Sequence, residues 1–144
     1  MQWVTRRHIR VNRAATAWLV RRFVDPGATF TFVEPDEVAA IERRTGAIGF
    51  DAPGARYPHK DGRGRCSFEA LVEEHRPDDP ALRKLAQIVH SADFKEGLAA
   101  VPEAAGLLAI SQGFPLVARD DLDTVERASF IYDSLYAFLQ PRRV

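Results

Sequence analysis

One short stretch of the sequence collects several side chains that can do chemistry. Residues 58–71 read PHKDGRGRCSFEAL and place His59, Cys66 and Glu69 on a glycine-containing loop that runs into a predicted helix. Imidazole, thiolate and carboxylate groups are ligands that transition metals use in proteins. We therefore predict a metal site with His59 and Glu69 as ligands. The ordinary alternative is a loop that starts a helix, with Cys66 buried as a small apolar residue.

Three local residues do not complete a metal site, so further ligands must come from the C-terminal half of the chain. Candidates there are His90, Asp93, Glu103, Asp120 and Asp121. We predict Asp93 and Glu103 as metal ligands and Asp121 as a catalytic carboxylate. The predicted cofactor is a divalent transition metal such as Fe, Mn or Zn, and the sequence shows no nucleotide or flavin signature.

The single cysteine of the chain supports a second interpretation, thiol catalysis. Cys66 lies at or just before a predicted helix N-terminus, with Arg63 and Arg65 upstream, and both features lower the pKa of a thiol. His59 and Cys66 are therefore predicted catalytic residues if the domain is an enzyme, which the sequence leaves open. One cysteine also excludes an intramolecular disulfide and a structural zinc site made of several cysteines.

The arginines support a third interpretation, an oxyanion pocket. Arg13, Arg21 or Arg22 of the first predicted helix, with Arg65 and the free N–H groups near Ser67, can hold chromate, sulfate or phosphate; of the two neighbours, Arg22 is the predicted contact. A small carboxylate is the other predicted ligand class. The helix arginines can equally form a solvated face. Trp18 is a predicted substrate contact, although packing of helix on sheet is the ordinary role of such a tryptophan.

A small sheet and a helical layer must position these residues. β-branched and alternating runs predict strands over 2–11, 28–35 and 47–54. Helical periodicity predicts helices over 13–24, 36–45, 68–76, 81–93, 103–113 and 122–140. Asn12 and Ser67 are the predicted caps of two of them, and Gly113 closes a third. We expect one α+β domain over 1–144, with a small three-stranded sheet, about five to six helices and an all-helical C-terminal half.

Charge is balanced overall but unevenly distributed along the chain. Residues 1–65 carry 12 Lys/Arg and 7 Asp/Glu, whereas residues 66–144 carry 8 Lys/Arg and 13 Asp/Glu. The two halves can pair across the fold, or assemble with a partner or a second copy as a homo-oligomer. Zero net charge disfavours nucleic-acid binding. No apolar run is long enough to cross a bilayer, and arginines occupy the N-terminus, so we predict a soluble cytoplasmic protein.

Four collinear segments, 3–33, 50–71, 102–113 and 120–138, together carry a family pattern. They resemble the family of chromate resistance proteins that contains ChrB, specifically its C-terminal domain. The resemblance implies a stand-alone cytoplasmic domain linked to chromate or oxidative-metal stress. In multidomain relatives an N-terminal region is thought to do the sensing or DNA work, and its absence here weakens a role in transcriptional regulation.

The first helix departs from the family pattern Asp-Arg-x-Ala-Cys-Pro-Trp-Leu. The corresponding residues run from Asn12 to Leu19, and Thr16 stands where the family has its cysteine. If that cysteine serves redox chemistry or metal binding, the resemblance implies a substrate other than chromate for this chain. The family residues that are kept are Asp51, His59, Cys66, Glu69, Glu103, Asp121, Tyr132 and Asp133.

Three functions are compatible with these observations. The first is a metal-dependent enzyme or detoxification domain that transforms an oxyanion or small carboxylate. The second is a non-catalytic domain that binds a metal or chromate with the same residues. The third is an interaction module that uses its charged halves.

Overall fold

The computed structural model describes residues 1–141 of the chain. Over that range it contains three strands, β1 (Gln2–Arg6), β2 (Thr29–Val33) and β3 (Ile48–Gly49). The six α-helices of that range are α1 (Val11–Leu19), α2 (Val38–Thr45), α3 (Ser67–His75), α4 (Pro80–Phe94), α5 (Pro102–Val117) and α6 (Asp121–Leu139). A π-helical turn, Val20–Val24, prolongs α1, and a 3₁₀ turn, Pro35–Glu37, precedes α2. No helix in the described range has both the length and the hydropathy to cross a membrane.

The sheet is parallel, with the strand order β2-β1-β3. Trp3 of the central strand lies opposite Phe30 on one side and Ile48 on the other. Parallel neighbours need a crossover connection, and α1 and α2 supply the two crossovers. Successive residues Trp3, Val4 and Thr5 are all buried, so β1 is covered on both faces. The predicted α+β fold, with three strands followed by an all-helical C-terminal half, is confirmed.

Helix α1 lies at the centre of the helical layer, and nearly all of its side chains are buried. The small side chains of Ala14, Ala15 and Ala17 let α3, α4 and α6 pack closely around it. At its C-terminal end, the Trp18 ring lies 5.9 Å from the ring of Tyr132 on α6. The candidate residues lie where α1, α3 and α4 meet, so this packing fixes their positions.

The first predicted strand is too long. β1 ends at Arg6, and His8 has a φ of 62°, a left-handed conformation that turns the chain into α1 at Val11. Asn12 therefore lies inside α1 and does not cap it. Its side-chain amide instead donates a hydrogen bond to the Ser67 hydroxyl at 2.9 Å. The sequence pattern does not reveal this turn because arginine and β-branched residues continue through it.

Two helix ends also differ from the predictions. Cys66 caps α3, one position before the predicted Ser67. Helix α5 continues through Gly113 and Pro115 to Val117 and does not close at Gly113. A glycine inside a helix costs about 1 kcal/mol relative to alanine. Burial of Phe114 in the core offsets that cost.

The third predicted strand is reduced to two residues, and an irregular loop over 50–66 connects it to α3. A β-bridge between Phe50 and Tyr57 closes the first part of this loop. Asp51 adopts a φ of 52°, a conformation that non-glycine residues rarely take. The loop places the ring of His59 against Phe94 at the end of α4, with centroids 5.1 Å apart.

Candidate functional site

Two clusters of candidate ligands lie side by side along α4. We call them the Asp51 cluster, made of Asp51, His59 and Asp93, and the Cys66 cluster, made of Cys66, Glu69 and His90. The donor atoms of each cluster lie within 4.8 Å of one another. The histidine of each cluster packs edge-on against Phe94, with ring centroids 5.1 and 4.7 Å away. The two clusters are therefore neighbours that share one aromatic wall.

The Asp51 cluster is built around a fully buried carboxylate. Asp51 accepts hydrogen bonds from His59 Nδ1 at 2.7 Å, Arg6 Nη2 at 3.2 Å and Arg13 Nη1 at 3.1 Å. Burial alone would raise the pKa of Asp51, but the hydrogen bond from His59 and the charges of both arginines hold that pKa below its ordinary value. Asp51 is therefore ionised, and Nδ1 of His59 carries the proton that it donates.

Asp93 approaches the His59 ring from α4. Its Oδ2 lies 3.6 Å from His59 Nδ1. The hydrogen bond to Asp51 is the main cause that raises the pKa of His59. Burial, followed by the charge of Asp51, raises the pKa of Asp93 to about 6. Within residues 1–141, Asp93 Oδ2 and Arg13 Nε are buried atoms without a hydrogen-bond partner.

The Asp51 cluster orients His59 for proton transfer. An ionised aspartate fixes the tautomer of His59, as in an acid–base dyad. The other ring nitrogen, Nε2, has no hydrogen-bond partner in the described part of the chain, and the side chain is 43% exposed. A cation here would lie beside the guanidinium groups of Arg6 and Arg13, so electrostatics oppose metal binding at this cluster.

The Cys66 cluster is built at the N-terminus of α3. Glu69 Oε1 accepts the backbone N–H of Cys66 at 2.9 Å, and the Cys66 sulfur accepts the backbone N–H of Glu69 in return. The same Oε1 lies 2.5 Å from His90 Nδ1, and His90 Nε2 lies 3.3 Å from Glu96 Oε2. Burial alone would lower the pKa of His90, but its hydrogen bonds and charge interactions with Glu69 and Glu96 raise it.

The environment of Cys66 does not suit a nucleophile. The residue is fully buried, and burial raises the pKa of its thiol well above the ordinary value. Catalytic thiols instead occupy accessible, electropositive positions where the thiolate is favoured. Arg63 and Arg65, predicted to lower the pKa of this thiol, pair with Glu73. The assignment of Cys66 as catalytic stays a prediction without support from its surroundings.

An arginine-lined cleft of about 520 Å³ borders the Cys66 cluster. We call it the arginine cleft; its charged lining residues are Arg63, Arg65, Glu69, Glu73 and Arg83. Each Glu73 oxygen receives one arginine, with Arg63 Nη1 at 3.1 Å and Arg65 Nη1 at 2.6 Å. The exposed guanidinium of Arg83 has no ion-pair partner among the residues that the structure describes.

The structure separates several of the predicted site residues. His59 and Glu69, predicted as ligands of one metal, lie in different clusters: His59 meets Asp93, and Glu69 meets His90. The separation arises because Asp51 and its arginines hold the His59 side of the loop. Glu103 is exposed in the first turn of α5 and belongs to neither cluster. Its role as a ligand stays a prediction.

Asp121, Trp18 and Arg22 lie outside both clusters. Asp121 accepts the backbone N–H groups of His8 and Ile9, so it fastens the turn before α1 to the start of α6. Trp18 is buried and donates from Nε1 to Asp133, which also pairs with Arg22 at 2.8 Å. These contacts are structural, and neither Trp18 nor Arg22 lines the arginine cleft. Of the predicted oxyanion contacts, Arg65 lines the cleft and Arg13 is buried against Asp51.

Arg6 and Arg83 are not among the predicted site residues, and His90 is only one of several candidate ligands in the C-terminal half. The spacing of His90 and Asp93 was a usable signal, because residues three apart share one helix face. Arg83 lies seven residues before His90, two turns away on α4. The contact of Arg6 with Asp51 joins positions 45 residues apart and leaves no local signal.

Comparison with known proteins gives consistent results. The family model for the C-terminal domain of ChrB matches residues 3–139. The chain is also similar to Protein ChrB of Cupriavidus metallidurans strain CH34, with 38% identity over 149 residues. That alignment covers 99% of this chain but 42% of the relative, so the chain spans less than half of that protein. No solved structure matches the chain significantly. Because the family model covers nearly the whole sequence, the chain belongs to the ChrB C-terminal domain family, which confirms the resemblance seen in its four segments.

Proposed function

We propose that this ChrB-type domain binds a tetrahedral oxyanion of the chromate class in the arginine cleft. The observation that carries the proposal is the convergence of Arg63 and Arg65 on the two oxygens of Glu73, with Arg83 on the same cleft. Guanidinium groups recognise oxyanions through paired N–H donors. An incoming oxyanion either displaces the Glu73 carboxylate from Arg63 and Arg65 or binds beside it.

The guanidinium groups along the cleft favour an anionic ligand over a neutral one. Three guanidinium groups and two carboxylates, Glu69 and Glu73, line the cleft, and Asp61 pairs with Arg65 at 2.8 Å from beside it. Arg83 is the group free to move towards an incoming anion, because its side chain has no ion-pair partner within residues 1–141. A cytoplasmic location, as the free thiol favours, brings the cleft into contact with oxyanions that enter the cell.

Binding, without turnover, is the activity that these contacts support. The buried Cys66 offers no accessible thiolate for reduction of the ligand. His59 has an unpartnered ring nitrogen in the described structure, but it lies in the Asp51 cluster and does not line the cleft. The metal dependence predicted from the sequence is a separate proposal, because arginines hold an anion without a cation.

Isothermal titration calorimetry with chromate and with sulfate tests the proposal. Each anion should bind the metal-free wild-type protein with one-to-one stoichiometry, more weakly at high ionic strength. We expect Arg83→Ala to weaken binding by about tenfold or more, the cost of one charge-assisted contact. Arg22→Ala is the matched control, because Arg22 pairs with Asp133 away from the cleft.

Two results would overturn the proposal. One is wild-type protein that binds neither anion at millimolar concentration. The other is a loss of binding in Arg22→Ala with unchanged binding in Arg83→Ala, which would move the oxyanion site to the first helix. Circular dichroism of each variant confirms that the fold is intact.

A further inference from the structure

The Cys66 cluster has the chemical composition of a zinc-type metal site. One sulfur, one carboxylate oxygen and one imidazole nitrogen lie within 4.8 Å of one another. Thiolate, carboxylate and imidazole are the ligand types of Zn²⁺, and three protein ligands with an open fourth position are common in its reactive sites. The Asp51 cluster lacks a sulfur and lies beside Arg6 and Arg13. The two clusters are therefore not equivalent as cation sites.

The local fold holds two of the ligands in place without a metal. Cys66 is the N-cap of α3, and its backbone N–H donates to Glu69 Oε1 at 2.9 Å. The backbone N–H of Glu69 donates to the buried Cys66 sulfur, so a metal that displaces the thiol proton leaves a thiolate that keeps a hydrogen bond. The capping interaction therefore serves the helix and also brings the sulfur and the carboxylate together.

The orientation of His90 is the independent observation. Its Nδ1 faces the cluster, 2.5 Å from Glu69 Oε1, and its Nε2 faces a second carboxylate, Glu96 Oε2, at 3.3 Å. Histidine ligands of metals usually donate their second ring N–H to a carboxylate, which fixes the ring and strengthens the ligand. The edge-on contact with Phe94 at 4.7 Å holds the same orientation.

From this geometry we propose that Cys66, Glu69 and His90 bind a zinc-type divalent transition metal, with Glu96 as the outer carboxylate that orients His90. The fourth position belongs to water or an exogenous ligand. Glu69 and His90 are 25% and 24% exposed, so the site is reachable from the surface. Glu69 also lines the arginine cleft, so a metal bound here borders the proposed oxyanion site. The two proposals are independent, because each ligand is tested without the other.

Titration of the metal-free protein with Zn²⁺ and Co²⁺ tests the site. We expect one equivalent of either metal to bind, and Co²⁺ to give a thiolate-to-metal charge-transfer band in the near ultraviolet. Cys66→Ser should abolish that band while keeping an oxygen acceptor at the cap of α3. His90→Ala should weaken Zn²⁺ binding by more than a hundredfold, and Glu96→Gln by about 10- to 100-fold.

The controls separate this site from a surface histidine and from the neighbouring cluster. His75→Ala, at the exposed end of the same helix α3, should leave binding unchanged. His59→Ala should also leave binding unchanged. The proposal is overturned if no metal binds at micromolar concentration, if Co²⁺ binds without the charge-transfer band, or if His59→Ala weakens binding as much as His90→Ala. Glu96→Gln alters an exposed side chain, so it remains informative if a core variant fails to fold.

Discussion

The buried Asp51 carboxylate sets the charge of the residues around it. With hydrogen bonds from His59, Arg6 and Arg13, it stays ionised inside the protein. Asp93 lies beside this fixed negative charge and is itself largely buried. Its protonated form is therefore favoured, which is why the pKa of Asp93 rises to about 6.

This raised pKa makes stability depend on pH near neutrality. The folded-state pKa of Asp93 exceeds the ordinary 3.8. The stability that the protonated side chain contributes to the free energy of unfolding is therefore present at low pH and is lost as pH rises through about 6. Asparagine mimics the neutral acid and cannot ionise. We expect Asp93→Asn to match the wild type near pH 4 and to exceed its unfolding free energy at pH 7.5 by at most about 3 kcal/mol. Urea unfolding at several pH values measures the difference.

Asp78→Asn is the control for this experiment, because Asp78 lies on the exposed turn before α4. It should shift the unfolding free energy by less than about 0.5 kcal/mol at every pH. If Asp93→Asn instead destabilises the protein equally at pH 4 and pH 7.5, the Asp93 side chain makes a stabilising contact at both pH values, and its ionisation does not oppose folding.

At the scale of the elements, a buried hydroxyl and amide network joins α1 to α3. The Asn12 amide donates to Ser67 Oγ at 2.9 Å, Thr16 Oγ1 donates to Asn12 Oδ1 at 3.2 Å, and the two hydroxyls lie 3.1 Å apart. Thr16 contributes its hydroxyl to this contact between α1 and α3. The network fixes the N-terminus of α3, on which the Cys66 cluster depends.

Removal of Asn12 should therefore destabilise the fold through the groups that it leaves unpaired. We expect Asn12→Ala to lower the unfolding free energy by about 1–3 kcal/mol, since buried hydroxyls lose their partner. Chemical denaturation at pH 7 provides the measurement. Gln112→Ala, which removes an exposed amide from α5, should cost less than about 0.5 kcal/mol. An Asn12→Ala protein as stable as Gln112→Ala would show that the network contributes little.

These elements also show what the sequence could predict. Periodicity predicted helices over 81–93 and 103–113, and the observed α4 and α5 contain these ranges. It also placed Cys66 and Glu69 together, because they lie within one helical turn. The partner of each histidine was not predictable. That choice depends on the left-handed Asp51 and its long-range contacts with Arg6 and Arg13, which no local pattern encodes.

At the scale of the whole molecule, the uneven charge of the sequence is matched in part by ion pairs between its two halves. Ion pairs join the arginine-rich half to the acidic half at Arg22 with Asp133, Arg56 with Glu74, His59 with Asp93, and Arg63 and Arg65 with Glu73. This pattern favours pairing of the two halves with each other. Assembly with a partner or a second copy stays a prediction. Arg83 belongs to the acidic half and is left unpaired in the described structure, which is why the cleft retains a charge for a ligand.

Acid unfolding involves the paired carboxylates whose pKa values lie below the ordinary range, among them Asp51, Asp61 and Asp123. Although burial opposes ionisation, hydrogen bonds from histidine and arginine hold the pKa values of Asp51 and Asp61 below the ordinary range. Asp123, in the first turn of α6, accepts the backbone N–H of Arg119 at 2.9 Å and its guanidinium at 3.1 Å. These bonds lower the pKa of Asp123 to about 2.

A lowered pKa stabilises the fold above the ordinary value of 3.8 and loses that effect as pH falls towards 2. Asparagine at position 123 keeps an oxygen acceptor but cannot ionise. We therefore expect Asp123→Asn to have a lower urea midpoint than the wild type at pH 6, and a difference that shrinks as pH approaches 2. Glu126→Gln, an exposed change on the same helix, should leave both midpoints unchanged. A difference of equal size at pH 6 and pH 2 would mean that the substitution acts through altered packing, and that the charge of Asp123 does not hold α6 to the turn before it.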